Sequence, residues 1–93
     1  MTDHERYIGL IFPLQTAWTF VHGSGDKALL KECRDLLGHS GGLDAPEPPI
    51  TAERNDRIYA ALQRAWTLVN TPFVSNYARS QVSNALKNFG PND

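Results

Sequence analysis

The sequence predicts an all-α fold, a four-helix bundle of two tandem αα-hairpins with an approximate internal two-fold repeat. In four segments, apolar residues recur at three- and four-residue spacing, which is typical of amphipathic helices. Glycine and proline collect between these segments, where helices end. The segment LQTAWTFV at 14–21 is repeated as LQRAWTLV at 62–69, with six of eight positions identical. A chain of 93 residues is expected to form a single helical domain over 1–93.

The first helix is predicted over about 3–22. Thr2 and Glu5 have the spacing of a capping box, in which each side chain satisfies an amide of the first turn. Pro13 removes one backbone hydrogen bond inside this helix, so a kink is expected near 9–13. The core-facing stripe is predicted to contain Tyr7, Leu10, Ile11, Leu14, Ala17, Trp18 and Val21.

The second helix is predicted over about 25–38, with Ser24 as its N-cap and Gly38 at its C-terminal end. Its apolar stripe consists of Leu29, Leu30, Cys33, Leu36 and Leu37. The segment GHSGGLDAPEPPI that follows, residues 38–50, is rich in glycine and proline. This composition predicts a loop that joins the two hairpins.

The third helix is predicted over about 52–70 and the fourth over about 72–89. Thr51 is expected to cap the third helix. Thr71 is expected to cap the fourth, because Pro72 suits the first helical position. The predicted stripes are Ile58, Tyr59, Leu62, Ala65, Trp66 and Val69 in the third helix, and Val74, Tyr77, Ala78, Val82, Ala85, Leu86 and Phe89 in the fourth.

The repeated segment belongs to a longer match between the first hairpin, about 3–38, and the second, about 51–90. At an offset of 48 residues, Glu5–Arg6 aligns with Glu53–Arg54, and the first helix aligns with the third. After one inserted residue, the apolar positions of the second helix align with those of the fourth. Helical patterning explains shared leucines but not shared Gln, Ala, Trp and Thr, so the match favours an internal duplication.

Composition favours a cytoplasmic protein without membrane attachment. The net charge of −1 gives no general attraction to nucleic acid or to an anionic membrane. Residues 1–50 carry four Lys/Arg against seven Asp/Glu, whereas residues 51–93 carry five against three. A single cysteine suits a reducing compartment. No stretch approaches the roughly 20 apolar residues of a membrane-spanning helix, and the N-terminus lacks the pattern of a signal peptide.

No combination of residues indicates an enzyme, a metal site or a cofactor. Asp35 and His39 are four residues apart with Cys33 nearby, but a zinc site needs four ligands with definite spacing. Cys33 lies within an apolar stripe and is expected to be a small core residue. The carboxylates fall on polar faces, with no pair placed for general acid–base catalysis.

The face of the first helix opposite its core stripe is unusually apolar. It holds Ile8, Gly9, Phe12, Thr16, Thr19 and Phe20, where the third helix has Asp56, Arg57, Ala60, Arg64, Thr67 and Leu68. Such a face is usually covered. The loop 38–50 with Leu43 and Ile50, a second copy of the chain in a homodimer, or a different protein would each cover it. If the kink at Pro13 shifts the helical phase, part of the face turns into the core instead.

These observations predict a non-enzymatic protein–protein interaction module, a small regulator or inhibitor. The partner is another protein or a second copy of the same chain. The predicted partner-binding residues are Ile8, Phe12, Thr16, Thr19 and Phe20. Aromatic residues in such positions often carry most of the binding energy.

The alternative is a DNA-binding protein with a helix-turn-helix-like recognition helix at 78–90. The segment ARSQVSNALKNFG alternates small polar residues with apolar anchors, as such helices do. The predicted DNA contacts are Arg79, Gln81, Ser83, Asn84 and Lys87. Two observations oppose this function. The segment 71–77 is predicted to begin the same helix rather than form the required turn, and the charge of 51–93 is low for phosphate binding.

Overall fold

A computed structural model describes residues 1–38 and 49–90 of the chain. Every regular element in these two ranges is an α-helix, and the predicted all-α class with four helices is confirmed. The helices are α1 Asp3–His22, α2 Lys27–Leu37, α3 Ala52–Val69 and α4 Asn76–Asn88. Most of the predicted loop 38–50, including Leu43 and His39, lies outside the described residues, as does Pro91.

The helices α1 and α3 form the centre of the fold, and α2 and α4 flank them. Both central helices contact both flanking helices, whereas α2 and α4 make no contact with each other within residues 1–38 and 49–90. The first turns of α1 and α3 meet, because the Asn55 side-chain amide donates to the Asp3 carbonyl at 2.9 Å. Contacts of Gly9 with Phe89 and of Thr16 with Gln81 show that α1 and α4 run antiparallel.

The start of α1 is the predicted capping box. The Thr2 hydroxyl accepts from the Glu5 amide at 3.1 Å, and the Glu5 carboxylate accepts from the Thr2 amide at 3.3 Å. The Thr2 hydroxyl also donates to this carboxylate at 3.1 Å, and the hydrogen bonds from the Thr2 amide and hydroxyl lower the pKa of the Glu5 carboxyl group. The helix continues through Pro13, which is buried. Leu10 and Ala17, seven residues apart on either side of Pro13, are both fully buried.

Two predicted helix starts are wrong. Asp26, not Ser24, caps α2, since its carboxylate accepts from the Leu29 amide at 3.1 Å. The Ser24 hydroxyl instead donates to the Val21 carbonyl at 2.7 Å, in the last turn of α1, whose C-cap is Gly23. The predicted C-terminal glycine is confirmed, because Gly38 adopts a left-handed conformation with φ of 79°.

The fourth helix begins at Asn76 rather than at residue 72. Ser75 is its N-cap and accepts from the Ala78 amide at 3.3 Å. Residues 71–74 form a turn, closed by a hydrogen bond from the Val74 amide to the Thr71 carbonyl at 3.2 Å. This turn buries Val74 and leaves Phe73 almost fully exposed. Tyr77, predicted to face the core, is 77% exposed.

The two hairpins bury equivalent positions. In α1 and α3, the buried residues related by the offset of 48 are Leu10, Pro13, Leu14, Ala17 and Val21, and Ile58, Ala61, Leu62, Ala65 and Val69. In α2 and α4, the buried residues related by an offset of 49 are Leu29, Cys33 and Leu36, and Ala78, Val82 and Ala85. All of them belong to one core cluster apart from Pro13, and Trp18 and Trp66 both pack against it half-buried.

Candidate functional site

An exposed stripe runs along the outside of α1. Ile8 is 43% exposed and Phe12 is 55% exposed, and Gln15 and Thr19 are exposed beyond them. Their spacing of four, three and four residues puts all four side chains on one helical face. We call this set, Ile8, Phe12, Gln15 and Thr19, the outer stripe. It contains three of the five predicted partner-binding residues.

The other two predicted partner-binding residues lie at the edge of the core. The Thr16 hydroxyl donates to the Gln81 side-chain carbonyl at 2.8 Å, which joins α1 to α4. Phe20 is half-buried and packs against the core cluster. Gly9, between Ile8 and Leu10, lies against the Phe89 ring. The apolar face of α1 is therefore divided between the contact with α4 and the outer stripe.

The charged face of α3 is likewise engaged in helix packing. Arg57 forms an ion pair with Glu32 of α2 at 3.0 Å, and Arg64 approaches Asp26, the N-cap of α2, at 3.9 Å. On the same face, Asp56 accepts from Arg6 of α1 at 2.7 Å. The contrast in composition between the two faces thus reflects, in part, what each helix packs against.

Four of the five predicted DNA-contacting residues lie together. They line an open cleft of about 390 Å³ between α3 and α4. The lining residues are Trp66 and Asn70 from α3 and its C-cap, and Asn76, Arg79, Ser80, Ser83, Asn84 and Lys87 from α4. Gln81 is the exception, because it faces α1 and bonds Thr16. We call this region the α3–α4 cleft.

The α3–α4 cleft has a positive charge balance. Two of its lining residues, Arg79 and Lys87, are cationic, and none is acidic. The Arg79 guanidinium donates to the Asn76 side-chain carbonyl. Its Nε is buried without a hydrogen-bond partner in the described part of the chain. Arg79 therefore retains an unused donor.

The connection between α3 and α4 bears on the DNA-binding alternative. α3 ends at Val69 and α4 starts at Asn76, so six residues, 70–75, separate the two helices. The expectation that the fourth helix begins at residue 72 is wrong. The turn of a helix-turn-helix has about three or four residues, so this connection is longer than that motif requires.

A buried polar cluster at the first turns of α1 and α3 was missed from the sequence. Arg6 is 8% exposed, and Asn55 is fully buried. The Arg6 Nε donates to the Phe89 carbonyl at 2.8 Å. Its equivalent, Arg54, donates to the Leu36 carbonyl at 2.6 Å. Each arginine thus binds a carbonyl at the C-terminal end of the flanking helix in the other hairpin. In the sequence, the repeated Glu–Arg pair is the feature that links these two positions.

The titratable groups of the described chain offer little for catalysis or metal binding. Cys33 is buried, and burial, with a smaller effect of the Glu32 carboxylate, raises the pKa of its thiol to about 11. The thiol is therefore protonated at neutral pH and is a poor nucleophile. Among residues 1–38 and 49–90, no group of three His, Cys, Asp or Glu side chains is placed to hold a metal.

The same ranges contain no helix that combines the length and apolar character needed to cross a membrane. No protein-family model matches this chain, and comparisons with curated proteins and with solved structures find no significant match.

Proposed function

We propose that this chain is a protein-binding module, a small non-enzymatic regulator or inhibitor, and that it binds its partner through the outer stripe of α1. The observation that carries the proposal is the exposure of Phe12, at 55%, next to Ile8 at 43%. The equivalent residues of α3 are Ala60 and Asp56. Large apolar side chains grouped on one exposed face are typical of interaction sites.

The binding mode follows from the shape of a helical stripe. Phe12 would enter an apolar pocket of the partner, and Ile8 would pack one turn away. Gln15 and Thr19 would form the polar edge of the interface. Thr16 and Phe20, which are already engaged with the rest of the fold, would fix the position of the stripe.

The duplicated architecture supports the choice of this face. We infer that the chain arose from two equivalent αα-hairpins, since five buried positions of α1 and α3 align and Arg6 and Arg54 each donate to a carbonyl near the end of a flanking helix. In such a repeat, a difference at an exposed equivalent position is not required by the fold. Phe12 in place of an alanine such as Ala60 is such a difference, so Phe12 is a candidate for a functional contact.

The proposed setting is the cytoplasm. The single cysteine, Cys33, is a buried thiol, and a chain that keeps its cysteine reduced suits a reducing compartment.

The test compares Phe12→Asp with Ala60→Asp, which puts the same charge at the equivalent exposed position of α3. Tagged proteins are used to capture partners from nuclease-treated lysate, and sedimentation velocity measures self-association. We expect a partner that wild type and Ala60→Asp retain and Phe12→Asp loses, while circular dichroism shows unchanged helix content. If Phe12→Asp retains the same partner, or unfolds, the outer stripe is not the interface. Loss of a dimer in Phe12→Asp alone would identify the partner as a second copy.

DNA binding through α4 is the second candidate function. It is favoured by one observation, that Arg79, Ser83, Asn84 and Lys87 line a single cleft next to a turn between two helices. It predicts an affinity for DNA that falls steeply with salt and is weakened by Arg79→Ala or Lys87→Ala. Binding that is unchanged in both variants would exclude it.

A further inference from the structure

The α3–α4 cleft differs from the surface that a duplex-reading helix presents. A recognition helix enters a major groove about 12 Å wide and therefore has to protrude from its domain. In this fold, the polar side chains of α4 share a shallow, open cleft with Trp66 and Asn70 from the neighbouring helix. A ligand in this cleft would contact both helices, whereas a major groove would receive α4 alone.

We propose that the α3–α4 cleft binds a nucleotide unit, a planar base with its phosphate, rather than the major groove of a duplex. This inference rests on nucleic-acid binding through α4, the second candidate function, and names the form of its ligand. It does not depend on the outer stripe of α1.

The cations of the cleft suit the phosphate. Arg79 and Lys87 line it without an acidic residue among the lining side chains. The Arg79 guanidinium donates to the Asn76 side-chain carbonyl, so it is held at the cleft. A phosphate in the cleft would accept from this guanidinium, since arginine commonly makes paired hydrogen bonds to phosphate.

Trp66 and the amide side chains suit the base. An aromatic side chain beside cations is the usual composition of single-strand sites, in which bases stack on rings whatever their identity. Asn70, Asn76 and Asn84 supply both donors and acceptors for base edges. The cleft volume of about 390 Å³ lies at the lower end of the roughly 300–1,000 Å³ of small-ligand pockets.

The aligned positions of the first hairpin carry a different set of side chains. Trp18 aligns with Trp66, but Leu30 replaces Arg79 and Asp35 replaces Asn84. Lys27, Lys31 and Arg34 replace Asn76, Ser80 and Ser83. Trp18 also has the His22 ring against it, edge to face, with ring centroids 5.7 Å apart. A lining that combines tryptophan and cations with no carboxylate is therefore specific to the second hairpin.

The experiment follows Trp66 fluorescence in a Trp18→Phe protein, in which Trp66 is the remaining tryptophan. The titrants are adenosine monophosphate, a single strand of about eight nucleotides, and the duplex of the same sequence. Arg79→Gln and Lys87→Gln are compared with Lys31→Gln, which removes an exposed cation from α2, outside the cleft. Circular dichroism of each variant verifies the fold, and Lys87, which is exposed, serves if Arg79→Gln unfolds.

We expect the single strand or the mononucleotide to quench Trp66, and to bind at least threefold more weakly in both cleft variants but not in Lys31→Gln. With two phosphate contacts, the affinity for the single strand should fall with salt at a logarithmic slope of about −1.4, halved in each cleft variant. Quenching by the mononucleotide identifies a free nucleotide as a sufficient ligand, whereas quenching by the strand alone identifies a polynucleotide.

Three results would overturn the inference. If neither the mononucleotide nor the single strand quenches Trp66, the cleft binds no nucleotide unit. DNA binding is then also excluded if the duplex does not bind either. If quenching persists unchanged in Arg79→Gln and Lys87→Gln, binding occurs elsewhere. If the duplex binds as tightly as the single strand and is weakened by both variants, the second candidate function stands and the nucleotide-unit inference is wrong.

Discussion

The α1–α4 contact and the α2–α3 contact involve positions that align at the 48-residue offset, but the two contacts are built differently. Gly9 meets the Phe89 ring and Thr16 bonds Gln81, so uncharged and mostly small residues of α1 face α4. At the positions equivalent to Gly9 and Thr16, α3 has Arg57 and Arg64, which pair with acidic residues of α2. One scaffold thus accommodates both close packing and ion pairing between its central and flanking helices.

This comparison separates packing from function on α1. Gly9 and Thr16 are small or polar because α4 lies against them, so they require no partner. Ile8 and Phe12 are exposed, and the contact with α4 gives no reason for their size. The proposed interface therefore depends on these two side chains rather than on the whole apolar face.

The largest expected effect tests whether the two halves share one core. Leu14 and Leu62 are equivalent and fully buried, so Leu14→Ala and Leu62→Ala should each lower the free energy of unfolding by about 2–5 kcal/mol. Urea denaturation followed by circular dichroism measures both. A loss at one position only would show that the hairpins contribute unequally to stability.

The next effect concerns the equivalent arginines. Arg6→Met removes hydrogen bonds from a nearly buried guanidinium to the Phe89 carbonyl and to Asp56, and should cost about 1–3 kcal/mol. Arg54 is half-buried, and Arg54→Met should cost less, about 1 kcal/mol. Thermal unfolding at matched pH ranks the two variants. Equal costs would contradict the difference in burial.

Gly9→Ala is expected to destabilise the α1–α4 contact. A Cβ at residue 9 would overlap the Phe89 ring, so the ring has to move. The strain should outweigh the gain in helix propensity and leave a net loss of about 1 kcal/mol. Combining Gly9→Ala with Phe89→Leu should show a cost smaller than the sum of the two single costs, because the clash is then relieved. Additive costs in this double-mutant cycle would locate the effect elsewhere.

The smallest effect is expected at the ion pairs between α2 and α3. Arg57→Gln and Arg64→Gln remove pairs whose arginines are more than half exposed, so each should change the free energy of unfolding by about 0–1 kcal/mol. The change should shrink further in 1 M salt, where charges are screened within about 3 Å. Denaturation curves at low and high salt provide the measurement. A larger effect that persists in salt would indicate that the arginine stems contribute by packing.

Local patterns predicted the helices well where one signal dominated. The capping box at Thr2, the cap at Thr51 and the glycine at 38 were each the strongest signal in their segment, and all three are confirmed. The start of α4 was missed because Thr71–Pro72 and Ser75 both satisfy capping rules. Burial of Val74 distinguishes them, and burial depends on distant packing.

Some features of the candidate sites could also be predicted from the sequence, and others could not. Helical periodicity placed Ile8 and Phe12 opposite the core stripe but left open whether the fold covers them, and both are exposed. The assignment of Thr16 and Gln81 to a contact between helices could not be predicted, because it requires the antiparallel register of α1 and α4. Burial of Arg6 and Asn55 was similarly inaccessible, since their partners, Phe89 and Asp3, come from other elements.

Reaction of Cys33 with a thiol reagent can measure local opening of the fold at α2. The side chain is fully buried in the core cluster, and its thiol is protonated at neutral pH. A thiol reagent therefore modifies it only while α2 is separated from the central helices, so the labelling rate counts those separations. Measured with and without a bound partner, this rate would report whether binding at α1 changes how often α2 opens, with no probe added to the chain.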